Sequence, residues 1–323
     1  MLEIDSKNAR QWSRLGSRAV FGQAILSLAE TKKNLMVLSA DLGSSSGLSR
    51  FKNAYSDNFL NVGISEQNMI GIAAGLAKEG YVVYATSFAP FISMRSSEQV
   101  RMNMGYMNLN IKAVAIGSGV SMAFLGNSHY GLEDASIMRS IPNLTVVSPA
   151  DCGEIVKTVF AAAEYEGPMY IRLTGGVNNP IVYEDDYNLE IGKAITLCEG
   201  SEITIIANGT MVYESLEAAK LLGSEGLFPT VVNMHTIKPL DTKVIDKAVA
   251  SSKLIVSVEE HSIIGGLGGA IAEYKTVHNN APPQLILGLP DKFGKVGEHR
   301  YLLNKYGLTS KQIAKRIINK YKE

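Results

Sequence analysis

The sequence contains few cysteines and carries no net charge. Its only two cysteines, Cys152 and Cys198, lie far apart in 323 residues, with no Cys-x-x-Cys and no paired histidines nearby. This scarcity argues against a disulfide framework and a structural zinc site, and it favours a reducing, cytoplasmic compartment. Lysine plus arginine (31) balances aspartate plus glutamate (31). Because no summed field draws the chain toward phosphate backbones or anionic lipid, we expect neither a nucleic-acid partner nor a membrane partner.

Long apolar runs are also missing from the sequence. No run reaches the roughly 18 apolar residues that a membrane-crossing helix needs, and the N-terminal MLEIDSKNARQW is acidic and polar where a signal peptide would be apolar. We therefore expect a soluble protein. A length of 323 residues with 46% hydrophobic residues indicates about two domains, each with its own core.

Short β-branched runs alternate with amphipathic stretches along the whole chain. This alternation is typical of parallel sheets wrapped by crossover helices, so it predicts an α/β fold with two open, mostly parallel-sheet domains. The predicted strands of the first half are Leu35–Ala40, Tyr81–Ser87, Ile111–Gly117, Leu144–Ser148 and Met169–Leu173. Those of the second half are Ile203–Ala207, Thr230–Met234, Leu254–Val258 and Gln284–Gly288.

A polar, acidic stretch with turn residues, Gly175–Gly192, separates the two halves. We predict a first domain over residues 1–178, a linker over 179–192 and a second domain over 193–323. Helices are expected at Ser17–Thr31, Ser65–Glu79 and Ala150–Tyr165, the last beginning near Asp151. Near the C-terminus, Thr309 with Gln312 is typical of a capping box.

The five histidines differ in their sequence context. His129 lies in GNSHYG, a loop that follows the third predicted strand, and an open α/β sheet places its site at the carboxyl ends of its strands. It is therefore the best functional candidate. His235 and His261 also follow strands and could instead form hydrogen bonds at the domain interface. His278 and His299 are interpreted as surface residues.

Glu66 is the most prominent carboxylate of the sequence. It lies in VGISEQNMIGIAAG, where a short apolar strand gives way to a helix of small and apolar residues. One interpretation is a helix cap, because acidic residues suit a helix N-terminus. The other is a functional group, since a carboxylate at the start of a buried helix is costly without a partner. The pattern leaves both open.

Several segments together resemble a known family. In order and spacing, VGISEQNMIGIAAGLA, ATSFAPFISMRSSEQVR and SHYGLEDASIMRSIPNLTVVSPAD resemble the pyrimidine-binding domain of transketolase. VNMHTIKPLD, EEHSIIGGLGGAIAE and GLPDKFGKVGEHRYLLNKYGLT resemble the C-terminal domain of the same family. The resemblance covers nearly all of the chain and implies an enzyme dependent on thiamine diphosphate.

One family signature is missing. The sequence contains no Gly-Asp-Gly, the start of the motif with which transketolases hold the diphosphate through magnesium. The chain therefore resembles the C-terminal section of a split transketolase, which transfers a two-carbon ketol unit from a ketose to an aldose. The resemblance implies a separate N-terminal subunit that holds the magnesium, and a heterotetramer of two small and two large subunits. The alternatives are the β-subunit of a 2-oxoacid dehydrogenase and an acyloin-forming enzyme like deoxyxylulose phosphate synthase.

The resemblance assigns cofactor contacts to five residues. Glu66 matches the glutamate that bonds the pyrimidine ring nitrogen of thiamine and so assists catalysis. Phe88 and Phe91 match the aromatic residues that stack on and flank the pyrimidine. Asp41 and Leu42, in SADLGSS, match a cofactor-facing aspartate and the leucine beneath the thiazolium.

Three residues match substrate contacts. His129 matches the histidine that bonds the ketose hydroxyl groups and assists proton transfer. Arg14 and Ser45 match two residues that hold the substrate phosphate. No residue is assigned as a metal ligand.

The chain also departs from the family pattern. Gly117 replaces a histidine, Gly175 replaces a phosphate-gripping arginine, and Leu125 replaces an aspartate that reads an acceptor hydroxyl. Because these changes remove charge and clear space, we expect a sugar other than the usual pentose and hexose phosphates. Met94 stands in place of a family tyrosine, and Arg172 matches an arginine of deoxyxylulose phosphate synthases that is expected to be structural.

Overall fold

The computed structural model describes residues 2–323, which form two α/β domains built on sheets of unequal size. The strands are β1 (Leu35–Ser39), β2 (Phe59–Asn61), β3 (Val82–Phe88), β4 (Ile111–Ile116), β5 (Thr145–Val147), β6 (Met169–Leu173), β7 (Ile195–Cys198), β8 (Glu202–Ala207), β9 (Thr230–Asn233), β10 (Thr236–Lys238), β11 (Ser252–Ser262) and β12 (Gln284–Leu289). All nine predicted strands are present, with ends shifted by a few residues at most except in β11.

Helices connect the strands. They are α1 (Ser6–Leu15), α2 (Ser17–Thr31), α3 (Ser49–Ala54), α4 (Glu66–Lys78), α5 (Ser97–Gln99), α6 (Asp134–Ser140), α7 (Cys152–Glu164), α8 (Met211–Gly223), α9 (Thr242–Ser251), α10 (Leu267–Lys275), α11 (His299–Lys305) and α12 (Ser310–Lys322). α5 lies inside a longer helical segment, residues 91–106, whose remaining turns are π-helical. Between residues 2 and 323, no helix is long and apolar enough to cross a bilayer.

The first sheet has seven strands in the order β10-β5-β6-β4-β3-β1-β2, and the second has five in the order β12-β11-β8-β9-β7. All pairings are parallel except two at sheet edges, β10 with β5 and β7 with β9. The predicted pair of open, mostly parallel sheets is confirmed. β10 was not predicted, and it returns from the second half of the chain to extend the first sheet.

Both sheets are covered by apolar side chains on their two faces. Strands β3, β4 and β6 of the first sheet are buried throughout, as expected for a parallel sheet with helices on both sides. The core of the second domain also takes in Val120, Tyr130 and Leu132 from the loop that carries His129. The two domains therefore share apolar packing beneath that loop.

Local capping explains where two helices begin. The Asp151 side chain accepts from the Glu154 amide at 2.8 Å and so caps α7, as the sequence predicts. Its second oxygen accepts from Val182 and Tyr183, which fixes the connecting segment against the first domain. At α12 the capping-box expectation is wrong, because the Thr309 hydroxyl donates to the Gln312 side chain at 3.2 Å instead of accepting from a helix amide.

Candidate active site

The sequence-predicted residues gather at the carboxyl end of the first sheet. Asp41, Leu42 and Ser45 follow β1, Glu66 begins α4 after β2, and Phe88 ends β3. His129 lies in the loop after β4. These four strands are neighbours in the sheet, so their following loops share one edge, where open α/β sheets place their sites.

Glu66 is 1% exposed, although its side chain is a carboxylate. Its Oε1 accepts from the buried hydroxyl of Ser87 at 2.8 Å, and its Oε2 accepts from Nη1 of Arg95 at 2.7 Å. No side chain caps α4, and the carboxylate points to β3 and the 91–106 segment rather than to the helix amides. This geometry disfavours the interpretation of Glu66 as a helix cap.

Arg95 was not singled out in the sequence. Its side chain remains 43% exposed while it pairs with Glu66, and the guanidinium carbon lies 4.0 Å from the centre of the Phe91 ring. The Arg95 carbonyl accepts from the Gln67 side chain at 3.0 Å. The sequence spacing does not distinguish Arg95 as a site residue, because an arginine in a helical stretch is usually a solvated surface residue.

Three rings form a cluster next to Glu66. His129 lies 5.4 Å from Phe88 and 5.3 Å from Phe91, centre to centre, and the two phenylalanines lie 5.9 Å apart, all in edge-to-face arrangements. The Ser128 hydroxyl lies 2.9 Å from Nδ1 of His129. Glu66, Phe88, Phe91 and His129 therefore form one group, with Arg95 joining its acidic and aromatic parts.

Asp41 adopts a left-handed backbone conformation at φ 58°. Its amide donates to Oδ1 of Asn61 at 2.9 Å and its Oδ1 accepts from Asn61 Nδ2 at 3.1 Å. This paired contact holds a non-glycine residue where backbone strain must be offset by its surroundings. The exposed side chain of Asp41 lines a cavity of about 320 Å³ that Lys52 also borders, and Leu42 packs half-buried against the first core.

Ser45 and Arg14 lie apart from the ring cluster. Ser45 lines a cavity of about 230 Å³ at the start of α2, together with Ser17, Arg18 and Gly176. Arg14 is exposed in the last turn of α1 and does not line this cavity. The structure thus supplies a second arginine, Arg18, beside the predicted phosphate contact.

The two glycines that replace charged family residues do not leave open space. A Cβ on Gly117 would lie 2.4 Å from the Met122 side chain, and one on Gly175 would lie 2.2 Å from Oδ1 of Asn179. Both glycines also have positive φ, 72° and 76°, which other residues rarely adopt. The expectation that they clear space is therefore wrong: Met122 and Asn179 fill it, although the charge is still missing.

Arg172 is fully buried and structural. Its guanidinium binds both carboxylate oxygens of Asp134, at 2.9 and 3.0 Å, and donates to the Glu260 carbonyl at 3.0 Å. Burial alone would raise the pKa of Asp134, but the charge and hydrogen bonds of Arg172 outweigh it and hold that pKa below its ordinary value. The pair joins β6 to the second domain directly behind the His129 loop.

The remaining histidines lie mostly at the domain interface. His261 is buried and its Nε2 accepts from the Ser136 amide at 3.3 Å, which confirms an interface hydrogen bond. The interpretation of His299 as a surface residue is wrong: its side chain is 28% exposed and its Nε2 lies 3.0 Å from Oε1 of the buried Glu260. Over the described part of the chain, no three His, Cys, Asp or Glu side chains gather in a metal-binding group.

Comparison with known proteins agrees with this architecture. The family described as "Transketolase, pyrimidine binding domain" matches residues 13–177, and "Transketolase, C-terminal domain" matches residues 192–313. The 6-deoxy-6-sulfo-D-fructose transketolase subunit of Clostridium sp. (strain MSTE9) is 38% identical over 92% of this chain and 92% of its own. An apulose-4-phosphate transketolase subunit of Phocaeicola vulgatus is 35% identical over 93% of this chain and 96% of its own.

A solved structure is also similar to the whole chain. It is described as a split gene transketolase in an inactive beta4 tetramer, and it superposes with a TM-score of 0.85 at 38% identity. The match covers 94% of this chain and 97% of that one. The two α/β sheets, the arrangement of their domains and the two family matches lead to one conclusion: the chain belongs to the transketolase family, as the C-terminal section of a split transketolase.

Proposed function

We propose that this chain is the smaller subunit of a cytoplasmic, two-subunit transketolase and that it binds the pyrimidine end of thiamine diphosphate. The observation that carries the proposal is the buried Glu66 carboxylate beside the Phe88, Phe91 and His129 rings. A carboxylate next to aromatic faces is suited to a flat, nitrogen-containing ring, which needs one hydrogen bond at its edge and stacking on its face. The residues present therefore fit the cofactor.

Each residue has a distinct task in this proposal. Glu66 bonds the pyrimidine ring nitrogen and shares a proton with it, and Ser87 holds the other carboxylate oxygen in place. Phe88 and Phe91 exclude water from the ring faces, with Asp41 and Leu42 bordering the rest of the cofactor. His129 bonds substrate hydroxyl groups and moves a proton at Nε2. The cofactor itself supplies the carbon that carries the two-carbon unit.

A partner subunit completes the proposed enzyme. Several large apolar side chains around the site are exposed, which is unusual for a surface that faces water alone: Ile64 77%, Met94 48%, Phe124 70% and Leu125 49%. We infer that an N-terminal transketolase subunit covers them and holds the diphosphate and its magnesium. The expected assembly contains two copies of each subunit.

The proposed sugar substrates differ from the common pentose and hexose phosphates. Gly117 and Gly175 stand where the family has charged residues, and Met122 and Asn179 fill the space beside them, so the site loses charge without gaining room. Two relatives of similar length are named for unusual sugars, sulfofructose and apulose phosphate, which supports a departure from the common substrates. We propose a modified or differently charged sugar, with Ser45, Arg18 and Arg14 near its distal end.

Reconstitution with the N-terminal subunit tests this function. The pair is titrated with thiamine diphosphate and magnesium by calorimetry, and ketol transfer is assayed with a panel of sugars and with a 2-oxoacid. Binding by the pair and ketol transfer without 2-oxoacid decarboxylation is the expected result. Turnover by the isolated chain would contradict the need for a partner. Efficient use of xylulose 5-phosphate and ribose 5-phosphate, with kcat/KM above roughly 10⁴ M⁻¹s⁻¹, would contradict the unusual sugar.

A further inference from the structure

The Arg95 guanidinium contacts two side chains of the proposed cofactor site, the Glu66 carboxylate and the Phe91 ring. Its Nη1 donates to Oε2 of Glu66 at 2.7 Å, and its central carbon lies 4.0 Å from the centre of the Phe91 ring. Glu66 is 1% exposed whereas the Arg95 side chain is 43% exposed. Arg95 is therefore the outer layer that separates the carboxylate from solvent.

These two contacts are of the same kind as those that a pyrimidine would make. A guanidinium is planar, stacks on aromatic faces and donates hydrogen bonds to carboxylates. Ser87 holds Oε1 from the buried side, so Oε2 is the oxygen that faces the site. A ring that stacks on the same face of Phe91 and bonds Oε2 through its edge nitrogen would overlap the guanidinium. The guanidinium and the ring cannot both lie over the Phe91 face and beside Oε2.

We propose that Arg95 occupies the place of the cofactor pyrimidine until the cofactor binds, in the isolated chain and in the reconstituted pair alike, and that it must leave that place when the cofactor binds. This inference rests on the proposed function, because it takes Glu66 and Phe91 as pyrimidine contacts. Arg95 is a positioning residue: it holds the Glu66 carboxylate in place until the cofactor replaces it.

The local structure allows the side chain to move while its backbone stays. The Arg95 carbonyl accepts from the Gln67 side chain at 3.0 Å, which ties the end of the first π-helical turn to α4. No other acidic group pairs with Arg95 in the described part of the chain. The movement of Arg95 then breaks only one ion pair, with Glu66, and one stacking contact, with Phe91. In the proposed complex the cofactor contacts both of these residues in its place.

Displacement has a measurable thermodynamic consequence. When only a fraction of the molecules has an open site, the apparent dissociation constant equals the intrinsic constant divided by that fraction. Removing the guanidinium should open the site permanently. The apparent dissociation constant for the cofactor would then fall to the intrinsic constant, that is, by a factor of one divided by the open fraction. This direction is expected even though the substitution removes a positive charge beside the Glu66 carboxylate.

The test is thiamine diphosphate binding to the reconstituted pair at saturating magnesium, measured by calorimetry. We expect Arg95→Gln to lower the dissociation constant at least about threefold. Arg101→Gln, in the same helical segment, is the matched control, because Arg101 makes no ion pair within residues 2–323; it should leave the constant unchanged. An unchanged or higher constant for Arg95→Gln would overturn the displacement and make Arg95 a supporting contact.

Two further measurements keep the outcomes distinct. Circular dichroism verifies that Arg95→Gln is folded; if it is not, Arg95→Lys, which lacks the planar stacking group, takes its place with the same expected direction. A wild-type pair that binds no thiamine diphosphate overturns the proposed function, and the displacement with it. A wild-type pair that binds the cofactor while the Arg95 variant does not bind it more tightly overturns the displacement alone.

Discussion

At the scale of single residues, the decisive group is Glu66. A buried carboxylate is costly unless its oxygens are paired, and here one oxygen accepts from Ser87 and the other from Arg95. The sequence places Glu66 at a helix start, where capping and function are equally compatible with the pattern. Only the orientation of the side chain separates the two interpretations, and orientation depends on β3 and on a helical segment about 30 residues further along the chain.

Replacing Glu66 by Gln in the reconstituted enzyme should lower kcat at least about a hundredfold, because the amide keeps the size of the carboxylate but cannot exchange a proton. The ratio of initial rates at saturating cofactor measures the effect. Glu79→Gln, at the exposed end of the same helix, should retain normal activity. If Glu66→Gln turned over at near-normal rate, its carboxylate would have only a structural role.

At the scale of helices and strands, the sequence is most informative where an element is long and apolar. The fully buried strands β3, β4 and β6 are predictable because each is a short, mostly apolar run followed by small or polar residues, a pattern that suits a covered parallel sheet. β10 is not predictable: its three residues form a strand because their backbone pairs with β5 of the other domain, and the Lys238 ammonium, which donates to the Arg139 carbonyl at 3.0 Å, helps to hold the segment there. The π-helical turns around Arg95 cannot be predicted from the sequence either, since they depend on packing against α4.

Asp151 joins two elements, and its replacement by Ala tests that role. The substitution should lower the free energy of unfolding by about 3 kcal/mol, because it removes a helix cap and leaves the Val182 and Tyr183 amides without an acceptor. Asp5→Ala is the matched control: Asp5 caps α1 through the Asn8 amide in an exposed position, and it should cost only about 1 kcal/mol. Urea unfolding of the chain measures both. Equal losses would show that the linker bonds contribute nothing.

At the scale of the whole molecule, buried charges connect the two domains. Arg172 on β6 binds Asp134 and the Glu260 carbonyl, and the Glu260 carboxylate accepts from the Val120 amide at 2.8 Å and the Thr210 hydroxyl at 2.9 Å. These partners are up to 140 residues apart. Periodicity predicts that both domains exist, but it carries no information about contacts between them, so this network could not be derived from the sequence.

Removing one partner of the buried pair should be strongly destabilising. Arg172→Met leaves the Asp134 carboxylate buried without its counter-charge, and such changes typically cost about 3–5 kcal/mol. Lys247→Met breaks an exposed ion pair with Glu199 and should cost less than about 1 kcal/mol. Chemical denaturation of the two variants gives the comparison. A loss for Arg172→Met as small as that for Lys247→Met would contradict the role of Arg172 in holding the domains together.

The contact between His299 and Glu260 makes the stability of the chain depend on pH. Burial lowers the pKa of His299, but the charge of Glu260 and the hydrogen bond to it outweigh burial and raise that pKa above its ordinary value of 6.5; Arg300 and Glu214 also face the ring. This part of the stability is complete below pH 6.5 and is lost as the pH rises through the raised pKa.

Glu260 behaves in the opposite way. Burial would raise its pKa, yet His299 and the other donors hold it below its ordinary value of 4.5, so its contribution is complete above pH 4.5 and is lost as the pH falls through the lowered pKa. The pair therefore stabilises the chain fully between about pH 4.5 and 6.5. His299→Gln should reduce the free energy of unfolding most within this window and progressively less at higher pH. Urea unfolding of both proteins across the pH range measures this difference, and a difference that does not change with pH would show that the imidazole binds Glu260 without being charged.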